Sequence, residues 1–519
     1  MDPSRRPPSP PVAHETMPER AVGPLSWMTR DQILVSLAVL ASIFLASLNQ
    51  TFVGTALPTV IGELGGLERY GWVFASFLIT STATGPLFGR LSDVVGRRPV
   101  FIAGILLFLA GSAAGGLIRS FDELIMARAV QGLGVGAIIP VGQTIIGDTF
   151  EMAQRAKVQG VFSSVWGISA IIGPVAGGVL TQYASWRWVF FANVPFALIA
   201  LVLARRVPSE RSTRRPRLDW AGAALLLVAV SSLLLALDGI LAPWTFLLAI
   251  TGAALFLRVE RRVPDPMIDL RLLRIPALRA GLATLLPAGM VMFGVLSYVP
   301  AYVQGVQGGT PIEAGAVLLP LSIGWPLASI LGARLAIRRG YRPVLISGGA
   351  CLAIGSALVA TLRPDTPLAV PLVGLFLVGF GLGCATISSL LAAQSTVGRS
   401  QRGIATSLVN FLRSMGGALG VAALGAILAA SLGPLAASAN ELLDPIGRRD
   451  IAPNVIASLA GPLSDGLERV FLGILAAGVA AFVIPLVLAP RGVGSAADSV
   501  ADGDTADNRS AVAPGTPPR

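Results

Sequence analysis

About fourteen apolar runs of roughly 20 residues divide this chain, and no other feature restricts its fold so severely. A helix rising about 1.5 Å per residue needs about 20 apolar residues to cross about 30 Å of hydrocarbon. Lipid offers the backbone no hydrogen-bond partner, so runs of this length have to be helices. The expected spans are 33–54, 70–89, 100–118, 122–147, 158–181, 187–204, 218–237, 242–258, 278–303, 312–334, 342–361, 367–392, 403–430 and 468–489. The fold class is therefore an all-α polytopic membrane protein. Composition agrees, since only 13% of the 519 residues are charged and mean hydropathy is +0.74. A water-soluble surface needs about a quarter of its residues charged.

The net charge of +11 would suggest a nucleic-acid partner in a polar protein, but here the arginines sit between apolar runs and read as topology signals. With the first residues inside, about 30 basic residues fall on the cytoplasmic side and about seven on the other, as the positive-inside rule requires. The densest clusters, 205–217 and 258–279, flank spans seven and eight. Segments 1–30 and 491–519 are rich in Pro, Ser, Gly or Asp and read as disordered cytoplasmic tails, the first without the apolar core of a cleaved signal. Localisation in the inner (cytoplasmic) membrane with both termini cytoplasmic follows. Cys351 and Cys384 sit in apolar runs, which excludes a disulfide framework or metal cluster, and the single histidine, His14, lies in the first tail. No cofactor, metal or nucleic acid is expected; the partners implied are membrane lipids and a small-molecule substrate. With no acid pair near the midplane, the chain does not read as an enzyme.

The chain also repeats itself. Arg90-Leu-Ser-Asp-Val-Val-Gly-Arg-Arg-Pro99 recurs as Arg334-Leu-Ala-Ile-Arg-Arg-Gly-Tyr-Arg-Pro343, and Gly160, Gly173 and Gly177 match Gly403, Gly416 and Gly420 at nearly the same offset. Two agreements at one offset imply two six-helix bundles, 31–204 and 278–490, separated by a segment, 205–277, holding basic linkers and spans seven and eight.

Three motifs carry the physics. In the loop Gly89-Arg-Leu-Ser-Asp93-Val-Val-Gly96-Arg97-Arg98, Gly89 permits close helix approach, Gly96 a turn, and Asp93 caps the next helix or pairs with Arg97. Arg128 and Gln131 stand three residues apart in span four, on one helical face. An arginine there is costly unless it finds partners. In span five, Gly173, Pro174, Gly177 and Gly178 make a groove for another helix and a point of bending.

These segments resemble the signature loop, the R-x-x-Q-G motif and the exporter motif of the major facilitator superfamily, with Ser169 at the last motif's first glycine position. Further segments are similar to its fourteen-helix drug:proton antiporter branch: Trp186 to Pro195, Asp265 to Leu270, Tyr302 to Gln304 and Arg402 to Gly417. The resemblance spans nearly the whole chain. It implies a multidrug efflux transporter, a secondary carrier exporting amphipathic molecules by alternating access, with a proton gradient as energy source. It adds Asp148 to Gly89, Asp93, Gly96, Arg97 and Arg98 as a cytoplasmic latch that holds the halves together and releases on inward opening. The alternatives are a facilitator or lipid-like substrate exporter without proton coupling, and a receptor retaining the fold.

One departure matters. Asn49 stands where the branch has an aspartate, and an amide carries no releasable proton. Asp31, Asp148, Asp219, Asp238 and Glu313 all lie near span ends. The expected substrate cavity comprises Asn49, Gln50, Arg128, Gln131, Tyr298, Tyr302, Trp325, Asn410 and Arg413. With arginines and no acid, it favours neutral or anionic over dicationic cargo. The latch predicts that Asp93→Asn abolishes transport while leaving membrane insertion intact; efflux assays paired with quantitative membrane blots test this, and full activity would reduce the loop to a topology signal.

Overall fold

In the computed structural model the described residues are 28–150, 152–208, 219–237, 242–263, 272, 274–363, 366–367, 369–396, 402–444, 448 and 451–490. Outside them lie most of both tails with His14, Asp238, the segment 265–270 and parts of the basic stretches 205–217 and 258–279. Every regular element among the described residues is helical.

Among the described residues, eleven helical segments are long and apolar enough to cross a bilayer. They comprise α1 (Arg30–Leu64), α3 (Arg97–Leu117), α4 (Phe121–Thr149), α5 (Met152–Tyr183), α9 (Ala242–Glu260), α10 (Pro276–Ala301), the pair α11 (Pro311–Val317) and α12 (Leu319–Arg339), α13 (Tyr341–Ala360), α14 (Ala369–Thr396), α15 (Arg402–Leu432) and α17 (Pro453–Leu488). Three more helices fit the remaining spans of a fourteen-helix protein: α2 (Trp72–Val95), the broken pair α6 (Trp188–Phe191) and α7 (Asn193–Ala204), and α8 (Trp220–Leu237). Ser76, Thr80, Ser81, Thr82 and Thr84 make α2 the more polar helix, and three of the hydroxyls turn back onto the helix's own carbonyls: Thr80 onto Ser76 at 2.8 Å, Ser81 onto Leu78 at 3.0 Å and Thr84 onto Thr80 at 2.6 Å. Residues such as Ile199, Phe246 and Ile250 are more than half exposed, the surface that lipid covers.

The two ends of the bundle differ. The end where α2 passes into α3, here the basic end, carries Arg97, Arg98, Arg205, Arg258, Arg338 and Arg339; the far end, where α1 passes into α2, carries Arg69, Arg119, Arg187 and Arg448.

Packing repeats as the sequence does. In one group α1 lies on α5, and α2 and α3 lie on α4; in the other α10 lies on α15, and α12 and α13 lie on α14. Gly173 and Gly177 meet Thr51 and Phe52 of α1 so closely that an added Cβ would fall 1.9 Å from the Thr51 hydroxyl. Their counterparts Gly416 and Gly420 meet Leu286 and Met290 of α10 in the same way. α8 packs mainly on α9 and touches α2 and α15, one helix from each group.

One helix start differs from expectation, and one cap is decided between two alternatives. The last helix begins at Pro453, fifteen residues before the expected span 468–489. A helix needs no apolar surface to overhang the bilayer, and proline is well placed at its first position. Of the two roles open to Asp93, pairing with Arg97 is the one present: the N-cap of α3 is Gly96, and no side chain caps it.

Gly96 (φ 113°, ψ 153°) and its repeat partner Gly340 (φ 82°, ψ 173°) each close one helix and open the next in backbone space that only glycine occupies freely. Gly96→Ala and Gly340→Ala should each cost about 1–3 kcal/mol, read as a lowered thermal midpoint in detergent.

Candidate functional site

Arg128 enters α4 two turns from the far end and is wholly buried. Its Nε donates to the Val73 carbonyl at 3.2 Å, and its Nη1 donates to Gln131 Oε1 at 2.8 Å and to Asn49 Oδ1. Gln131 Nε2 in turn donates to Ser112 Oγ at 2.8 Å, and the guanidinium stands 4.2 Å from the Phe77 ring centroid. Asn49, Arg128 and Gln131 therefore do not line an open cavity here, contrary to the sequence expectation; they tie α1, α2, α3 and α4 together inside one group. The cause is desolvation: a buried cation gathers every oxygen in reach. Among the described residues only neutral acceptors serve it, and its Nη2 and Asn49 Nδ2 have no partner. Gln50, the next residue on α1, is half-buried.

In the second group, Arg413 of α15 is half-buried beside Met292 of α10 and Trp325 of α12. Asn410, one turn earlier, is exposed. Tyr298 and Tyr302 of the expected cavity are instead shut into packed contacts. Tyr298 stacks on Tyr70 with centroids 5.0 Å apart and donates to the Val421 carbonyl at 2.9 Å; Tyr302 stands edge-on to Phe471.

The two groups meet in a seal toward the far end, which the sequence did not reveal. Thr59 donates to Gln304 Oε1 at 2.9 Å, Gln304 Nε2 to the Thr55 carbonyl at 3.0 Å, and Tyr70 to the Ser297 carbonyl at 2.6 Å. Gly178 lies against Pro311, and Gly315 so near Pro174 that a Cβ would stand 2.1 Å from its carbonyl oxygen. The exporter-like glycines thus serve both an intragroup contact, through Gly173 and Gly177, and this intergroup one. Above the seal, Asn440 Oδ1 accepts from Leu67 N at 3.1 Å, and Arg448 Nη1 donates to the carbonyls of Gln304 and Gly305 at 3.0 and 2.7 Å. Those carbonyls belong to a π-helical turn, Tyr302–Val306. Burial lowers the Arg448 pKa from its ordinary value, yet a guanidinium stays charged at neutral pH.

At the basic end, Arg97 lies between Asp93, which it pairs through Nη1, and Asp148, whose Oδ2 accepts from its Nε at 3.0 Å. The sequence expected these charges to bridge the halves. These partners belong to α2 and α4, so the cluster braces one group while the groups approach each other at the opposite end. Gly89 meets only Pro140 of α4, at an ordinary 3.8 Å for an added Cβ, so close approach does not require it here. Arg98 is half-buried.

Asn49→Ala would strip an acceptor from a buried cation, for a loss of about 1.5–3 kcal/mol. Asn49→Asp should instead raise the thermal midpoint, because the cation is already buried and lacks a carboxylate. Thermal unfolding of the two purified variants checks both signs.

The major facilitator superfamily model matches residues 39–421. The chain is 34% identical over 412 residues to the multidrug transporter protein MdtP of Bacillus subtilis strain 168, covering 78% of this chain and 76% of that one. It is equally identical over 406 residues to the puromycin resistance protein pur8 of Streptomyces alboniger, covering 75% and 80%. Among solved structures, an inward-facing, unoccupied bacterial homologue of the human lysosomal transporter Spinster superposes with a TM-score of 0.63 at 14% identity, over 89% of this chain and 98% of that one. A D-xylose-proton symporter superposes at 0.61 with 15% identity, over 88% and 98%. At such identities these structures speak for the fold alone. Matched over most of its length and built of membrane-spanning helices, the chain is a multi-pass membrane transporter of the major facilitator superfamily and not an enzyme.

Proposed function

We propose that this chain exports amphipathic small molecules across the cytoplasmic membrane by alternating access, in exchange for protons. The observation that carries the reading is the seal: the groups 31–204 and 278–490 are joined at the far end by hydrogen bonds and glycine contacts, as one limit of a rocking motion would require. By the positive-inside rule the basic end is cytoplasmic, which puts the start of α1 and the end of α17 inside and makes the conformation inward-facing. Tyr298 and Tyr302 would become accessible when the seal opens. Asn49, Arg128 and Gln131 would act by holding α1 against α4, while Gln50, Trp325, Asn410 and Arg413 meet the cargo. Relatives named for multidrug transport and puromycin resistance support a drug-like cargo.

A second reading, transport without proton coupling, is favoured by one observation: Arg128 is held by the amides of Asn49 and Gln131, which release no proton. A protonophore separates the two in dye-loaded cells. Loss of uphill efflux supports exchange with protons, whereas efflux that never exceeds equilibration and ignores the protonophore supports the second.

The seal itself can be tested. Gly315→Val should force α11 from α5, cut transport at least tenfold, and expose a cysteine placed at Ser297 to an impermeant maleimide added outside, in a background lacking Cys351 and Cys384. Unchanged transport and labelling would remove the alternating-access assignment of this interface.

A further inference from the structure

Arg128 and Arg413 are both arginines within membrane-spanning helices, yet their surroundings differ in kind. Arg128 is sealed among three oxygen acceptors and a ring. Arg413 Nη1 reaches only the Met292 sulfur at 3.4 Å, a weak acceptor, and its Nε is shielded from solvent without a hydrogen-bond partner. Among the described residues no carboxylate pairs with it. Its Cζ stands 5.4 Å from the indole centroid of Trp325, which is also half-buried.

Position adds to this. α12 and α15 are helices of the second group that pack on α5 and α2 of the first, and Pro326, beside Trp325, would lie 3.6 Å from a Cβ on Gly167 of α5. Arg413 stands eleven residues beyond the start of α15 at the basic end, about 16 Å along the axis, below the seal. A guanidinium cannot shed its charge, and holding one inside a span without an acceptor is unfavourable. Among the described residues, the Met292 sulfur is the one acceptor its guanidinium meets, and its Nε meets none.

We propose that Arg413 and Trp325 form an anion subsite, in which the guanidinium bonds the carboxylate or sulfonate of a flat aromatic organic anion whose ring lies against the indole. Asn410, three residues before Arg413 and on the same helical face, supplies a further amide to the acid group. The fork of parallel N–H donors suits a planar oxyanion, and the uncompensated charge rejects organic cations. The inference rests on the exporter reading for the route of the ligand, but binding is measurable without transport.

The test uses the full chain in nanodiscs and calorimetry with three probes of one shape: naphthalene-2-carboxylate, 2-naphthamide and 2-naphthylmethylammonium. The carboxylate should bind at least tenfold more tightly than the amide, and the ammonium most weakly. Arg413→Gln should bring the carboxylate down to the amide's affinity while the amide itself changes less than twofold. Arg413→Lys should keep part of the preference, and Trp325→Leu should weaken all three probes. A loss of packing alone would lower the probes together and leave their ratio unmoved. Should Arg413→Gln fail to fold, the wild-type ratio and the Lys variant still decide. Equal binding of acid and amide by the wild type, no acid binding up to millimolar concentration, or a preference that survives Arg413→Gln would overturn the subsite. The expected binding pattern without movement of the acid across vesicle membranes would remove the exporter reading and leave the subsite, and transport without acid preference would do the reverse.

Discussion

Hydrocarbon cannot hydrogen-bond, and the rest of this structure follows from that. Each backbone segment at membrane depth has to satisfy itself, which makes it a helix, and a polar side chain left without a partner in the protein or on a helix's own carbonyls is costly. The hydroxyls of Ser42, Thr84 and Ser389 turn back onto the carbonyl four residues earlier, while leucines and isoleucines face outward. Helices in lipid have little hydrophobic reason to associate, so association rests on close packing. The glycines at 173, 177, 416 and 420 provide it, bringing α5 onto α1 and α15 onto α10.

The same constraint divides the charged residues into distinct kinds. Those near the basic end keep access to water and pair locally, as Arg97 does with Asp93 and Asp148. Arg128 is deep and enclosed, so its charge is spread over amide oxygens, a backbone carbonyl and the Phe77 ring. Arg413 is deep and incompletely served. Two identical side chains within spans thus sit in different surroundings, because the acceptors around them differ.

The seal joins these parts. Its bonds are few and mostly neutral, such as Thr59 to Gln304 and Tyr70 to the Ser297 carbonyl, each worth about 0.5–1.5 kcal/mol net. A contact of that size holds one arrangement without forbidding another. The strap through Asn440 and Arg448 touches both groups, since Asn440 bonds α1's following turn and Arg448 the π-helical end of α10.

Apolar run length and arginine placement determined, without any coordinates, that the chain is all-helical and membrane-spanning, because burial in lipid leaves no other backbone solution. The duplicated loop and glycines also foretold the repeated packing, since Gly96 and Gly340 take backbone angles other residues avoid, and Gly173 and Gly416 leave room for a neighbour. What the sequence could not order was the candidate site. It treated Asn49, Arg128, Gln131, Tyr298, Tyr302 and Arg413 as equivalent cavity groups, because depth in a span says nothing about which face meets protein, lipid or water. Only the tertiary structure separated them, through contacts between residues as distant in sequence as Tyr70 and Ser297 or Asn49 and Arg128. Those contacts depend on which groups are closed against each other and at which end, a property of how whole helices pack and not of any local pattern.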